Sequence, residues 1–532
     1  MLETPSAPDP SAESRRARHA VFPLAVIELG TSSIRMAIGQ TDGVSHVRII
    51  EQLVRGVSLG KDTFTLREIR RDTMARCIEV LKSYRRKLEE CQCTNAQHIR
   101  VVATSAVREA SNRVAFLDRV YTATGFVVEP IDDAEIARLT YLGIRPLLER
   151  EPELREATTL LMEVGGGTTE VLLLKGRNIT HSKSYRLGSL RLQQQLRQYH
   201  AARDQTVSLM EGHIDRTLEQ LGEVIPQQGS MELLALGSDV RFAARILQLE
   251  IADEDLVRVP LKKLQRFVTE VSEMSVEQLM RRYHLELSQA ETLVPALLTT
   301  VRTARMLDTD HVLVTGFNLR DALLQGMLRP GHWSDDFHEQ IVRSAEEVAR
   351  RFQVDLEYSR HVAALAQTVF RALIPVHQMD VRCEAILHVA ALLHEAGLFI
   401  GSSGYHKHSF YMIINSEIFG LNSVDHRLVA LVARYHRRAT PKPTHEVFTE
   451  LDRDSRVIVT RLAGILRVAL ALAQSRGQRI RQIDCTVEKN RLVIRAHGRS
   501  DGLLLEQLEL RQNSNLFQDG FGLGVILRES AE

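Results

Sequence analysis

Two stretches of this chain have the same sequence pattern. In each, an apolar strand ends in an acidic residue, turns through glycine and hydroxyl residues, and continues as a second apolar strand. The first covers residues 25–38 (AVIELGTSSIRMAI) and the second covers residues 160–174 (LLMEVGGGTTEVLLL). Glycines let the backbone turn tightly enough for its N–H groups to approach a phosphate. Two such hairpins so far apart in the chain predict two similar lobes that grip one phosphorylated ligand from opposite sides.

The two hairpins contain the residue types that a phosphate site needs. The candidate phosphate-binding residues are Gly30, Thr31, Ser32, Ser33, Gly165, Gly166, Gly167, Thr168 and Thr169. Glu28 and Glu163 end the first strands and are the candidate metal ligands, because a carboxylate there can hold a metal that carries the phosphate. Glu170 follows the second turn and is predicted to orient water. The alternative for either stretch taken alone is a glycine-rich hairpin without a ligand.

The length, composition and net charge of the chain limit the classes of ligand that it is expected to bind. The chain has 532 residues, enough for three or four domains, and 44% of them are hydrophobic, as in ordinary folded proteins. Lys and Arg number 68 and Asp and Glu number 67, so no overall positive field favours DNA or an anionic membrane. A polyanionic substrate therefore needs a local basic groove.

The cysteines and the N-terminus indicate a cytoplasmic protein. The five cysteines, at positions 77, 91, 93, 383 and 485, lack metal-ligand spacing and are expected to be free thiols in a reducing compartment. No apolar run approaches the roughly 20 residues that cross a bilayer. The first twenty residues are rich in Pro, Ser and Arg and lack an apolar signal core, so they are predicted to be a disordered tail.

Hydrophobic periodicity predicts an α/β architecture followed by helices. The predicted strands of the first half are 24–29, 34–39, 46–53, 99–104, 158–163, 170–175 and 312–315, and its predicted helices are 66–90, 205–222, 276–284 and 289–307. The predicted domains are a tail (1–20), lobe I (21–142), lobe II (143–330), a helical domain (331–478) and a small α/β domain (479–532). A helix near 501–512 is expected in the last domain.

Further segments, in a fixed order, carry a family resemblance. They are VVATSAVREASN (101–112), IDDAEIARLTYLG (131–143), YRLGSLRL (185–192), LALGSDVRFAAR (234–245) and NLRD (318–321). Together with the two hairpins they make the chain resemble the exopolyphosphatase and guanosine pentaphosphate phosphohydrolase family. The resemblance implies two actin-like (ribonuclease H-like) lobes, and a hydrolase that releases terminal orthophosphate from inorganic polyphosphate or guanosine pentaphosphate.

The resemblance also assigns roles to single residues. It implies that Glu135, in the frame E-x-A-R, deprotonates water and that Arg108 binds phosphate. Arg241 and Arg191 are weaker phosphate-binding candidates, and for Arg191 a surface ion pair is the preferred interpretation. The implied cofactor is a divalent metal, magnesium or alternatively manganese, and the implied assembly is a homodimer.

The chain departs from the family pattern at its metal site. Glu28 and Glu163 stand where the family carries aspartate, and each added methylene advances the carboxylate by about 1.5 Å. Charge is preserved on both sides of the cleft, so we interpret the exchange as a modified metal site, with a lost site as the alternative. Ser32, Ser58 and the pair Ser238-Asp239 are further departures, and Ser58 replaces an arginine, which weakens the case for long polyanions.

Residues 361–470 resemble an HD-type helical domain, whose metal site uses histidine and aspartate. His361 and the pair His394-Glu395 match three ligand positions, but Leu470 stands where the closing aspartate belongs. We therefore expect hydrogen-bonded core histidines there and no active metal site. A group of basic residues in this region has two interpretations: a basic channel for a long anion, or a solvated helix end. The group is His406, His408, Arg434, His436, Arg437, Arg438 and Lys442.

The sequence favours a hydrolase but leaves three other functions open. One is a non-catalytic sensor of polyphosphate or guanosine alarmones that uses the same cleft. Another is an ATP-dependent kinase or ATPase of the wider actin-like superfamily. The last is nucleotide hydrolysis by the helical domain, which would depend on His394 and Glu395.

Overall fold

The computed structural model divides the chain into two compact units, Met1–His332 and Trp333–Glu532. The structure describes residues 22–41, 47–197, 203–226, 229, 231–248, 256–328, 335–437, 439–442, 444–498 and 502–529. The predicted N-terminal tail and the predicted domain boundary at 330/331 lie outside the described residues.

The first unit begins with a five-stranded sheet. Its strands are β1 (Pro23–Leu29), β2 (Ser33–Thr41), β3 (Val47–Gly56), β4 (Ile99–Ala103) and β5 (Val128–Pro130), in the order β3-β2-β1-β4-β5. Its helices are α1 (Leu59–Leu66), α2 (Arg71–Glu90), α3 (Ser105–Arg108), α4 (Arg113–Thr124) and α5 (Asp133–Arg150), with a 3-10 turn at Ala96–His98. The central strand β1 is buried along almost its whole length, which explains its continuous apolar sequence.

A six-stranded sheet follows in the same unit. Its strands are β6 (Thr158–Val164), β7 (Thr169–Lys175), β8 (Asn178–Tyr185), β9 (Met231–Leu236), β10 (Leu256–Pro260) and β11 (His311–Thr315), in the order β10-β11-β9-β6-β7-β8. Its helices are α6 (Pro152–Glu156), α7 (Ser189–Arg197), α8 (Arg203–Gly222), α9 (Ser238–Ile246), α10 (Leu261–Ser272), α11 (Val276–Tyr283), α12 (Leu287–Met306) and α13 (Leu319–Leu328).

The two sheets repeat one topology. With β10 set aside, the order β8-β7-β6-β9-β11 reproduces β3-β2-β1-β4-β5, and in both sheets an antiparallel three-stranded meander is extended by parallel strands. This confirms the predicted α/β fold with two related lobes. The strands β5, β8, β9 and β10 were not predicted; β8 (NITHSKSY) is a half-buried edge strand with too few apolar residues to be recognised.

The predicted helix 66–90 is wrong at its N-terminal end. Helix α1 ends before Arg67, which adopts a left-handed backbone conformation (φ 62°), and α2 starts only at Arg71. The side chain of Asn112 accepts a hydrogen bond from the Ile69 N–H and so holds the connection in place. The apolar positions Met74 and Cys77 of α2 are buried in the core of lobe I, as their helical spacing predicts.

The second unit is helical and ends in a small sheet. Its helices are α14 (Asp335–Arg351), α15 (Leu356–Ala372), α16 (Ile374–His377), α17 (Val381–Leu393), α18 (Tyr405–Ile414), α19 (Ser423–Arg434), α20 (Glu446–Thr449), α21 (Arg453–Leu472), α22 (Leu504–Asn513) and α23 (Asn515–Phe521), with a 3-10 turn at Ala396–Phe399. The strands β12 (Ile480–Glu488), β13 (Arg491–Gly498) and β14 (Gly524–Glu529) form its sheet. The predicted helical region and C-terminal α/β segment are confirmed as part of the fold.

Two helical glycines provide a test of packing between the lobes. A Cβ atom on Gly143 of α5 would lie 2.0 Å from the ring of Phe317, which is buried, whereas a Cβ atom on Gly212 of α8 would meet nothing within 4 Å. We expect Gly143→Ala to destabilise the protein by about 1–3 kcal/mol through overpacking, despite the better helix propensity of alanine.

Gly212→Ala is the matched control and is expected to stabilise the protein by up to about 1 kcal/mol, because only the propensity term changes. Urea unfolding of both variants measures the difference. Equal stabilisation by the two substitutions would show that Phe317 moves aside freely and that the contact does not hold α5 in place.

Candidate functional site

The two glycine hairpins have the same local geometry. The Gly30 N–H donates to the Ser33 carbonyl at 3.0 Å, and the Gly165 N–H donates to the Thr168 carbonyl at 2.9 Å. Each hydrogen bond closes a loop at the end of a central strand, β1 in the first lobe and β6 in the second. The predicted phosphate loops are therefore equivalent parts of two equivalent lobes.

The two loops approach each other, as the sequence predicts. A Cβ atom on Gly166 would lie 2.8 Å from Thr31, and one on Gly167 would lie 2.4 Å from the Ser105 hydroxyl. The Thr31 and Ser105 hydroxyl oxygens, both of the first lobe, are 3.4 Å apart on the side that faces these glycines. Glycine is required at both positions because any side chain would force the lobes apart.

The carbonyl groups of the second loop face the N-terminus of α7. The Ser189 N–H donates to the Gly165 carbonyl at 2.9 Å, and the Leu190 N–H donates to the Gly166 carbonyl at 3.1 Å. The N–H and C=O of one peptide unit point in opposite directions, so this turns the N–H groups of Gly166 and Gly167 away from the helix. Among the described residues these two N–H groups have no acceptor. They form a concave set of donors suited to an anion.

Arg191 holds this loop in place, and it forms the predicted ion pair in a buried position instead of at the surface. The residue is only 7% exposed, and its Nε donates to the Gly167 carbonyl at 2.7 Å. Its Nη2 pairs with Glu109 at 2.6 Å, and its guanidinium lies 4.0 Å from the centroid of the Phe64 ring. Planar stacking and a fork of donors suit arginine to this bracing role.

Glu28 is paired with arginines. Its Oε2 accepts from Arg320 Nη1 at 2.5 Å, and its Oε1 lies 3.5 Å from Arg35 Nη1. Burial alone would raise the pKa of Glu28, but the charges of Arg320 and Arg35 outweigh burial and hold that pKa below its usual value. Glu28 is therefore an ionised carboxylate with both oxygens engaged.

Glu163 occupies the equivalent position in the second lobe. Burial raises its pKa and the negative charge of Glu28 adds to the rise, while the charge of Arg241 opposes it. Arg241 itself donates to the carbonyls of Gly316 and Phe317 at 3.0 and 2.8 Å. Of the two predicted metal ligands, one is thus bound to guanidinium groups and the other tends toward its neutral form.

The residues as placed do not fit a divalent metal. Magnesium needs free carboxylate oxygens in near-octahedral positions, and the Glu28 oxygens face Arg320 and Arg35. Within the described ranges, no group of three or more His, Cys, Asp or Glu side chains is arranged to hold a metal ion. The metal-binding roles of Glu28 and Glu163 remain predictions from the sequence.

Glu170 is a buried acid with a raised pKa. Burial raises its pKa to about 8, the nearby charge of Asp133 adds to the rise, and its Oε1 accepts from the Ser184 hydroxyl at 2.8 Å. Asp133 lies at the start of α5 and forms an ion pair with Arg108, which also donates to the Ile131 carbonyl at 2.7 Å. Asp133, held by Arg108, thus lies near enough for its charge to act on a buried acid of the second lobe.

Glu135 has different neighbours from those that the sequence predicts. Its two oxygens accept from Arg138 Nη2 and Nε at 2.6 and 2.7 Å, and Arg100 of β4 lies 3.9 Å away. The charge of Asp133, two positions earlier, acts on Glu170, whereas Glu135 forms an ion pair along the helix. The catalytic role of Glu135 remains a prediction, and so do the phosphate-binding roles of Arg108 and Arg241.

Sequence reasoning missed three residues of this site. Arg35 stands directly across the β1–β2 ladder from Glu28, so strand pairing contained the signal. Asp133 lies inside the segment 131–143 that carries the family resemblance, but the E-x-A-R pattern of that segment favours Glu135. Arg320 is 292 residues from Glu28 in sequence, and no local pattern connects them.

The helical unit contains the predicted core histidines. His394 Nδ1 donates to the Ala391 carbonyl at 2.7 Å, and His436 Nε2 lies 3.0 Å from the Tyr405 hydroxyl. Burial lowers the pKa of both rings. Glu395 forms an ion pair with Arg476, and Leu470 supplies no ligand. This agrees with the expectation of hydrogen-bonded histidines; the likeness to HD domains remains a prediction.

Glu170 gives a prediction for stability against pH. A carboxyl whose pKa rises from 4.5 to about 8 on folding stabilises the protein in its protonated form, and this contribution is lost as pH rises through that range. Glu170→Gln keeps the neutral shape. The melting temperature of the variant minus that of the parent is therefore expected to increase from pH 5 to about pH 8.

The control is Glu68→Gln, which changes an exposed carboxylate. Thermal unfolding across the pH range should give parallel curves for this variant and the parent. If Glu170→Gln also runs parallel to the parent, Glu170 is ionised in the folded protein and the assignment fails.

No helix of the described chain combines the length and apolar character that a bilayer span requires.

The Ppx/GppA phosphatase family model matches residues 37–330, and the model of Ppx/GppA phosphatase domain III matches residues 342–514. A guanosine-5'-triphosphate,3'-diphosphate pyrophosphatase of Photobacterium profundum is 23% identical over 96% of this chain and 99% of its own length. The pyrophosphatase of that name from Vibrio atlanticus is 24% identical over 88% and 91%. The crystal structure of an exopolyphosphatase from Cytophaga hutchinsonii shares the fold, with a TM-score of 0.51 and 22% identity over 58% of this chain and 98% of that one. The chain belongs to the Ppx/GppA phosphatase family.

Proposed function

We propose that this chain hydrolyses a terminal phosphoanhydride and releases orthophosphate from guanosine pentaphosphate, with inorganic polyphosphate as the second substrate. Two relatives named as guanosine-5'-triphosphate,3'-diphosphate pyrophosphatases match nearly the whole chain and support the nucleotide. A solved exopolyphosphatase with the same fold supports the polymer. The observation that carries the proposal is the meeting of the two glycine loops beside a pair of unlike acids.

The loops supply binding for the transferred phosphoryl group. Phosphoryl transfer spreads charge over three equatorial oxygens, and the protein contributes mainly position and charge neutralisation. The N–H groups of Gly166 and Gly167 have no acceptor within the described residues and are fixed because α7 holds the carbonyl side of the loop. Donors that are fixed before the reaction stabilise developing charge without reorganisation.

The two acids have different roles in the proposed hydrolysis. Asp133, ion-paired with Arg108, accepts a proton from the attacking water, while Glu170 is neutral below about pH 8 and donates a hydrogen bond to an oxygen that gains negative charge. A buried acid with a raised pKa commonly acts as general acid beside a second carboxylate that acts as base. A water between these two side chains would lie at the junction of the two lobes.

One observation favours the sensor as the second candidate. Glu28 and Glu135, both acidic positions that the family resemblance assigns to chemistry, are neutralised by arginines of this chain. A protein of this kind would bind the phosphate and release it unchanged. A divalent cofactor, a homodimer and a cytoplasmic location remain proposals that rest on the family resemblance.

Phosphate release by three variants tests the assignment. We expect Asp133→Asn and Glu170→Gln each to lower kcat/KM for guanosine pentaphosphate by about 100-fold or more, the usual effect of losing an acid or base. Glu135→Gln is expected to change it by less than about threefold, because that side chain is paired with Arg138.

Each other outcome identifies a different mechanism. If Glu135→Gln abolishes release and Asp133→Asn does not, the role predicted from the sequence is correct and the present assignment is wrong. If the parent releases no phosphate from guanosine pentaphosphate or polyphosphate under any metal, yet binds them, the sensor is correct. Circular dichroism and melting temperatures check that each variant is folded.

A further inference from the structure

Three arginines surround the two glutamates that the sequence predicts as metal ligands. Arg35 comes from β2, Arg241 from α9 and Arg320 from α13, so each reaches the cleft from a different element. Arg320 and Arg35 engage the two oxygens of Glu28, at 2.5 and 3.5 Å. The pair of Arg320 and Glu28 is buried, with side chains only 10% and 9% exposed.

From this geometry we infer that guanidinium groups replace the divalent cation in this chain, and that its site binds the metal-free form of a terminal triphosphate or polyphosphate. The inference rests on the proposed function for the class of ligand. Beyond that function, the bound ligand is metal-free and its charge is neutralised by guanidinium groups.

The longer glutamate side chain accounts for the exchange. One additional methylene moves the Glu28 carboxylate about 1.5 Å from the strand end, toward α13, where Arg320 meets it. A cation approaching Glu28 would have to displace a buried guanidinium and would then face the charges of the remaining arginines. Guanidinium groups remain protonated at all ordinary pH values, so this neutralisation does not depend on metal supply.

The arginines are suited to binding phosphate. Arg35 of β2 and Arg241 of α9 reach the cleft from two different elements. Arginine forks match phosphate oxygens in pairs.

A competition between protein and magnesium follows. Magnesium binds phosphate chains in solution, and the complex has a lower negative charge for the arginines to attract. In a site that requires the metal, adding magnesium tightens binding. In the site inferred here, magnesium withdraws the ligand and weakens binding.

The experiment is calorimetric titration of the full chain with inorganic tripolyphosphate, in chelator and in excess magnesium. We expect the dissociation constant in chelator to be at least about threefold lower than the constant in magnesium. Binding that is equal in the two conditions, or tighter in magnesium, overturns the inference.

Two charge variants localise the effect. Arg35→Met removes one guanidinium from the cleft and is expected to weaken binding in chelator by about tenfold or more. Arg48→Met, on the exposed edge of β3, is the matched control and should leave binding within about threefold of the parent. Equal losses in both variants would indicate a diffuse surface charge effect and would overturn the inference.

The double variant Glu28→Asp, Glu163→Asp tests the role of side-chain length. Shortening Glu28 withdraws its carboxylate from Arg320 and leaves it available to a cation, so we expect magnesium to become stimulatory. Melting temperatures establish that the variant is folded. If the double variant binds like the parent in both conditions, the length of the glutamates does not determine metal use, and the inference is overturned.

Failure of the inference and failure of the proposed function give different results. Metal-stimulated binding with phosphate release preserves the hydrolase and removes the arginine-substituted site. Metal-free binding without any phosphate release preserves the arginine-substituted site and removes the hydrolase. Binding is measured by heat and release by free phosphate, so neither result depends on the other.

Discussion

The contact between the two glycine loops is the constraint on which the site depends. Thr31 and Ser105 of the first lobe lie against Gly166 and Gly167 of the second, at distances that leave no space for a side chain. The second loop keeps its shape because α7 and Arg191 bind its carbonyl groups. Order in the cleft therefore comes from backbone hydrogen bonds, which fix the donors before any ligand arrives.

The repeated topology makes it possible to compare the lobes position by position. In the first hairpin Glu28 pairs across the ladder with Arg35, and in the second Glu163 pairs with Glu170. The same place in the fold thus holds a permanent cation in one lobe and a neutral acid in the other. This one difference makes the site asymmetric although the fold is repeated. Arg35 contributes a positive charge in one lobe, and Glu170 contributes a proton donor in the other.

The sequence was informative wherever the signal was local. The strand, glycine and hydroxyl pattern identified both hairpins, and helical spacing identified the buried face of α2 at Met74 and Cys77. It failed where distant segments decide the environment of a side chain. Glu28 looks like a metal ligand until Arg320 is placed beside it, and Arg191 looks like a surface residue until Phe64 and Glu109 enclose it. Edge strand β8 was missed because half-burial leaves little apolar pattern to detect.

The buried histidines of the helical unit give the chain a second response to acid. Burial lowers the pKa of His394 and His436, so unfolding takes up protons at these rings and the helical unit loses stability as pH falls below their usual value of 6.5. Glu170 has the opposite dependence, since its protonated form belongs to the folded first unit. As pH falls, these two histidines weaken the helical unit, whereas Glu170 strengthens the first unit, so these groups respond to acid with opposite sign.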